Sequence, residues 1–220
     1  MLNLLFPKVC SHCKSVLLKA EKVICSGCRH QLPLICHHRT GDPSMKAIFY
    51  GRIPLINATA MLQFQKKGIT QELLHNLKYR GQKEISTFFG EWLGAELAEI
   101  PEYQTLNMVI PVPLHKQKLK KRGYNQVESF GKEIAKALHI PYRDDILLKV
   151  SKTNSQVFKT RLMRLQAEEI FTVANPENLS NQHILLVDDI VTTGATLENC
   201  AIHLLKNNQV KLSIATIAIA

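Results

Sequence analysis

The residues best suited to chemistry stand together near the end of the chain. They are His183-Ile184-Leu185-Leu186-Val187-Asp188-Asp189-Ile190-Val191-Thr192-Thr193-Gly194-Ala195-Thr196-Leu197. Thr192, Thr193 and Thr196 offer hydroxyl donors. Gly194 and Ala195 let the backbone approach a ligand, and a helix beginning there would add free N–H groups and a positive dipole end. Together these describe an anion site, most simply for a phosphate monoester. Asp188 and Asp189 repel such a phosphate. They are expected to accept hydrogen bonds from neutral hydroxyls, such as a ribose diol, or to help hold Mg2+. A phosphate and a diol on one ligand describe ribose 5-phosphate. The plainer alternative is a strand and capped helix with a solvated acidic pair.

A second constellation lies at the other end. Cys10-x-x-Cys13 and Cys25-x-x-Cys28 form two knuckles, a spacing that points to one tetrahedral zinc ion. Four thiolates close the shell, so the site is expected to be structural. His12, His30, Cys36, His37 and His38 lie close by as alternative ligands. Disulfides are disfavoured in a reducing compartment. So small a segment has little core of its own, and metal would supply much of its folding energy.

A third group is basic. Lys116, Lys118, Lys120, Lys121 and Arg122 fall within seven residues and are followed by Gly123-Tyr124-Asn125-Gln126. Most charge runs are solvated loops. This one follows the apolar run Met108-Val109-Ile110-Pro111-Val112-Pro113-Leu114, which reads as a buried strand entering a turn. It is therefore placed to face the acidic motif, where it would neutralise a pyrophosphate or track a nucleic-acid backbone. Tyr124 would then be a stacking surface. Lys78, Tyr79 and Arg80 form a smaller cluster that reads either as a solvated helix end or as a further contact.

These groups need elements to hold them. His183–Val187 suits a strand buried on both faces of a parallel sheet, with the acidic pair ending it. Leu197, Ala201, Leu204 and Leu205 continue as a helix. In open α/β sheets, ligands bind outside the carboxyl ends of such strands. Further strands are expected at Ala58–Phe64, Ile146–Val150 and Val210–Ile219. Helices are expected at Ile69–Leu77, with Gly81 closing it, and at Glu84–Ile100 and Gln126–Leu138. Thr153–Glu169 reads as a helix with a Thr153…Gln156 capping box and the cations Lys159, Arg161 and Arg164. The fold class is α/β, a parallel sheet flanked by helices. The divisions are a zinc lobe over 1–40, a linker over 41–57 and the main domain over 58–220.

Composition sets the bounds. The chain has 220 residues, 45% hydrophobic and 21% charged, which is ordinary globular material. The net charge of +10 suits phosphate-rich ligands. No run is long enough to cross a membrane. Met1–Pro7 is too short for a secretory signal, so a cytoplasmic protein is expected.

Taken in order, the cysteine knuckles, Leu77-Lys78-Tyr79-Arg80-Gly81, Pro111-Val112-Pro113-Leu114, Arg122-Gly123-Tyr124-Asn125-Gln126 and the Asp188-Asp189 loop resemble the ComF family (ComFC and GntX-like proteins). The acidic loop alone is similar to that of type I phosphoribosyltransferases. The resemblance implies a phosphoribosyltransferase-like domain with an N-terminal zinc finger and a role in taking up transforming DNA. It implies phosphoribosyl pyrophosphate (PRPP) with Mg2+ held against Asp188, Asp189 and Thr192–Thr196, and its pyrophosphate near Pro111, Val112 and Pro113. Asp188 and Asp189 are then the catalytic candidates, orienting the diol while pyrophosphate leaves ribose C1. The chain departs from the family at Arg164-Leu165-Gln166-Ala167, where an Arg-x-x-Asn segment is expected. Three functions follow: a PRPP-binding protein of DNA uptake that contacts single strands or uptake proteins, a phosphoribosyltransferase on an unspecified acceptor, or a PRPP-responsive regulator without turnover.

Overall fold

The computed structural model describes residues 7–150, 170–206 and 209–220. Its strands are β1 (Ala58–Gln63), β2 (Met108–Pro111), β3 (Leu147–Val150), β4 (Ile170–Val173), β5 (His183–Val191) and β6 (Lys211–Ile219). Its helices are α1 (Ser26–His30), α2 (His37–Thr40), α3 (Ser44–Ala47), α4 (Ile69–Tyr79), α5 (Glu84–Ala98), α6 (Lys116–Arg122), α7 (Glu128–Ala137) and α8 (Ala195–Leu205). The main sheet has the order β1-β6-β5-β2, and every neighbouring pair is parallel.

β5 and β6 are central, and both are buried almost end to end. Alternate residues on a strand face opposite ways, so a doubly buried strand needs cover on both sides. Leu185 and Val187 join the core built with Leu73, Leu77, Phe89 and Phe130 from α4, α5 and α7. Ile184 and Leu186 join a second core with Phe49, Leu197 and Ala201. The expected α/β class is thus the observed one.

Four local expectations need correction. β5 does not end at the acidic pair but continues to Val191, because β6 runs beside it as far as Ile219. The basic run is a helix, α6, rather than a loop. His115 Nδ1 caps its start, and Gly123, at φ 82°, closes it by donating to the Leu119 carbonyl. The Ile146–Val150 segment does form a strand, but β3 pairs with β4 in a separate antiparallel sheet. The 41–57 stretch includes α3 and packs Met45 and Phe49 into the core. The helix expected over Thr153–Glu169, with Lys159, Arg161 and Arg164, lies outside the described residues.

The cysteine-bearing segment docks on the main body. Val23, Ile24 and Leu32 share one core with Leu73, Leu77 and Phe89. Asn76 Nδ2 donates to the Ser11 carbonyl at 2.9 Å, and Arg29 stacks on Trp92 with its guanidinium carbon 4.5 Å from the ring centroid.

α5 and α7 cross at two glycines of α5. A Cβ on Gly90 would lie 2.7 Å from the Phe130 carbonyl oxygen, and one on Gly94 would lie 2.9 Å from Ala137 Cβ. Alanine in a helix interior gains about 1 kcal/mol over glycine, whereas overpacking costs roughly 1–3 kcal/mol. The obstacle at Gly90 is backbone, so the clash is expected to win. Gly90→Ala should lower the urea midpoint. Gly27→Ala, where a Cβ meets nothing within 4 Å, should leave it unchanged or raise it. Equal or opposite responses would contradict this packing.

Candidate functional site

The acidic pair sits on β5 just past Val187, its last partner on β2, with Asp188 still beside Thr216 of β6. Asp188 is 8% exposed and Asp189 3%. Asp188 Oδ1 accepts the Asp189 amide at 2.8 Å. Lys78, near the end of α4, brings its Nζ to 2.9 Å from Asp189 Oδ2. That oxygen has no aligned hydrogen-bond donor, so charge rather than direction holds the pair. It is a buried carboxylate oxygen with bonding capacity to spare, which fits an acceptor of ligand hydroxyls or a cation ligand. Burial and then the Asp189 charge push Asp188 up to about 8.

The following loop is an exposed row of hydroxyls on a buried glycine. Thr192, Thr193, Ala195 and Thr196 are exposed and Gly194 is buried. Gly194 has φ 78° and opens α8, a conformation that favours glycine. A Cβ there would come within 2.8 Å of Phe49 Cε1 and 2.9 Å of Ile48 Cγ2. Arg52 braces this loop. It donates to the Thr193 carbonyl at 3.0 Å and pairs with Glu198 Oε2 at 2.6 Å. No sequence signal links Arg52 to a loop about 140 residues away.

The turn after β2 reaches the same place. Pro111 lies beside Val187, the Val112 amide donates to the Val187 carbonyl at 2.9 Å, and Asn125 Nδ2 holds the Val112 carbonyl at 3.1 Å. Pro111, Val112 and Pro113 therefore stand next to the acidic pair. α6 follows, with Lys118, Lys120 and Lys121 exposed. Lys116 opens that helix. Arg122 places its guanidinium carbon 5.8 Å from the Tyr79 ring centroid.

Two expected contacts are spent otherwise. Tyr124 is buried, not a free stacking surface, because its hydroxyl donates to the Leu77 carbonyl at the end of α4. Lys78 is committed to Asp189. The exposed aromatic on this rim is Tyr79.

In the N-terminal segment, the sulfurs of Cys10, Cys13, Cys25 and Cys28 all lie within 4.8 Å of one another. Backbone amides point at two of them, from Cys25 to Cys10 Sγ and from Cys28 to Cys25 Sγ, both at 3.4 Å. Such donors favour thiolates. The Ser15 hydroxyl and amide draw Cys13 down to about 6. None of the six cysteines is in a disulfide. The set fits a closed tetrahedral zinc shell. His12 and His37 are engaged elsewhere, His12 with Glu72 and His37 with Ala60 and Ser44.

Comparison with known proteins agrees with this geometry. Residues 128–220 match the phosphoribosyl transferase domain family, from the start of α7 to the end of β6. Competence protein F of Haemophilus influenzae is 26% identical over 199 residues, 86% of each chain. Competence protein ComFC of Bacillus subtilis is 28% identical over 206 residues, 88% of this chain and 82% of that one. The chain is thus similar in sequence to competence proteins of two bacteria over most of its length. The DNA utilization protein YhgH of Escherichia coli O157:H7 is 27% identical over 146 residues, and the chain spans 63% of its length in the match. A solved adenine phosphoribosyltransferase from Leishmania donovani is 11% identical, with a TM-score of 0.43 over 74% of this chain and 84% of that one. Among the described residues no helix is long and apolar enough to cross a membrane.

The raised Asp188 carries a pH signature in this chain. The folded chain keeps a proton on Asp188 up to about pH 8, whereas the unfolded chain gives it up near the ordinary value of 3.8. More protons are bound in the folded state across that window, so this group's contribution to stability falls as pH rises from about 4 to 8. Asp188→Asn removes the titration. Its stability relative to the natural chain should rise between pH 5 and pH 9, by on the order of a few kcal/mol. Urea unfolding across that range measures it, and a gap independent of pH would contradict the burial argument.

Proposed function

We propose that the chain binds PRPP with Mg2+ as a phosphoribosyltransferase-like protein acting in DNA uptake. The observation that carries this reading is a buried acidic pair, with Asp189 held by Lys78, beside an exposed hydroxyl loop at the mouth of a parallel sheet. The family match over 128–220 and the relatives' names support it. Thr192, Thr193, Thr196 and the α8 amides receive the 5-phosphate, and Asp188 and Asp189 accept the ribose hydroxyls. Asp188 and Asp189 would help hold Mg2+, which would supply positive charge to the pyrophosphate. The turn at Pro111, Val112 and Pro113 borders that group, with Lys116, Lys118, Lys120, Lys121 and Arg122 beyond it. If transfer follows, the anomeric bond breaks as pyrophosphate leaves and a sugar cation develops at C1, as in glycoside cleavage. The chain's cations then stabilise the leaving group. Among the described residues, no side chain stands out as a base for the acceptor.

Zinc held by Cys10, Cys13, Cys25 and Cys28 is part of this proposal, as a structural ion with no open position.

A charged hydrogen bond is worth roughly 1.5–3 kcal/mol. Changing Asp188 and Asp189 together to Asn should therefore weaken calorimetric PRPP binding by at least about 2 kcal/mol, or roughly thirty-fold. Undiminished affinity would remove the acidic pair from the ligand site.

The exposed lysines of α6 favour a second contact, with single-stranded DNA. Lys118, Lys120 and Lys121 project from one short helix, and Tyr79 beside Arg122 provides the open aromatic face. Single strands are held by such charge and stacking without sequence preference. Affinity should fall with salt by about 0.7 log units per log unit for each phosphate neutralised. Changing all three lysines to Ala should flatten that slope by about two. A helix that serves only pyrophosphate would lose PRPP affinity in this variant and leave the slope as it was.

A further inference from the structure

A second cluster of metal-binding atoms lies outside both the cleft and the cysteine knuckles. Cys36, His38 and Glu96 each place one ligand atom within 4.8 Å of the other two. Cys36 immediately precedes α2, His38 lies within it, and Glu96 projects from α5.

The other polar atoms of the charged and ring ligands are already occupied. Glu96 Oε1 accepts from Trp92 Nε1 at 2.9 Å and from Arg39 Nη2 at 2.9 Å. Its Oε2 is left facing His38 Nε2 at 2.6 Å. His38 Nδ1 is 2.7 Å from Thr59 Oγ1, a contact that fixes the ring and presents Nε2. Metal ligands are oriented by outer partners of this kind. Cys36 has φ 43°, a left-handed conformation that a non-glycine residue adopts at a cost of about 1 kcal/mol or more.

We propose that Cys36, His38 and Glu96 hold a second transition-metal ion, of the zinc class. One sulfur, one imidazole and one carboxylate form a borderline donor set that suits zinc. Bond lengths of about 2.0–2.3 Å set tetrahedral ligand atoms roughly 3.3–3.7 Å apart. The 2.6 Å His38–Glu96 contact therefore opens by less than about 1 Å as the ion replaces the shared proton. Thiolate and carboxylate balance the ion's charge, and Arg39 remains on the outer carboxylate oxygen. Three protein ligands leave a fourth position for water or a small exogenous ligand. Of the three ligands, Glu96 also borders, with Arg39 and Trp92, a cleft of ≈680 Å³ between the cysteine segment and α5. Bound there, the ion would tie the segment after the knuckles to the main body independently of the four-cysteine site.

The test is metal content per chain, measured by mass spectrometry on full-length protein purified without chelator and supplied with zinc. The natural chain should carry two ions and Cys36→Ser one, with His38→Gln matching Cys36→Ser. Cobalt substitution gives a second reading. Cys36→Ser should remove about a fifth of the sulfur-to-cobalt absorption, one thiolate of five. Cys13→Ser identifies the ion of the knuckles, so failure of that site is seen separately. A single ion that survives Cys36→Ser, or two ions in both proteins, would overturn the proposal.

Discussion

Two neighbouring carboxylates buried on a central strand set the terms for this molecule. Buried charge is costly unless it is paired or neutralised. Here one lysine faces Asp189, and Asp188 holds its proton far above the ordinary range. The surrounding structure keeps Lys78 in place beside this pair. The end of α4 is fastened by Tyr124, whose hydroxyl bonds the Leu77 carbonyl. The same turn is fastened from the other side by Asn76, which donates to Ser11 between the first two cysteines. A mechanical chain thus runs from the first cysteine knuckle through α4 to the acidic pair. In the proposed reading, the zinc lobe steadies the ligand site without touching it.

The hydroxyl loop has its own support. Gly194 is pressed against Ile48 and Phe49, and Arg52 spans to Thr193 and Glu198. The stretch that reads as a linker is therefore a wall of the cleft. α4 and the Arg52 segment brace the two halves of one site from opposite faces of the sheet, which follows from alternation along β5. Fold alone does not choose a reaction. The chemistry rests on what these two braces hold open.

Much of this was legible in the residues. Doubly apolar runs such as Leu185–Val187 announce central parallel strands, and the helical stripes of α4, α5 and α7 follow from spacing alone. The cysteine spacing likewise implies convergence of four sulfurs, and these do converge. What escaped was contact across long sequence distance. Neither Arg52 beside Thr193 nor Lys78 on Asp189 has a local signal, since both depend on how layers stack. Tyr124 misled because an aromatic in a basic run looks like a binding face, whereas its ring completes the core under α4. The basic run itself lacks an apolar stripe long enough to declare a helix. Its ends, His115 and Gly123, carried the only local cue.

The central claim of the proposed reading is that the acidic pair binds PRPP with Mg2+, Asp188 giving up its proton as it does so. Calorimetric titration of PRPP and Mg2+ at pH 7, in two buffers of different ionisation heat, counts the protons released. The natural chain should release more protons than Asp188→Asn, by a fraction approaching one per site, and bind more tightly. Equal proton release and equal affinity in the two proteins would contradict the account.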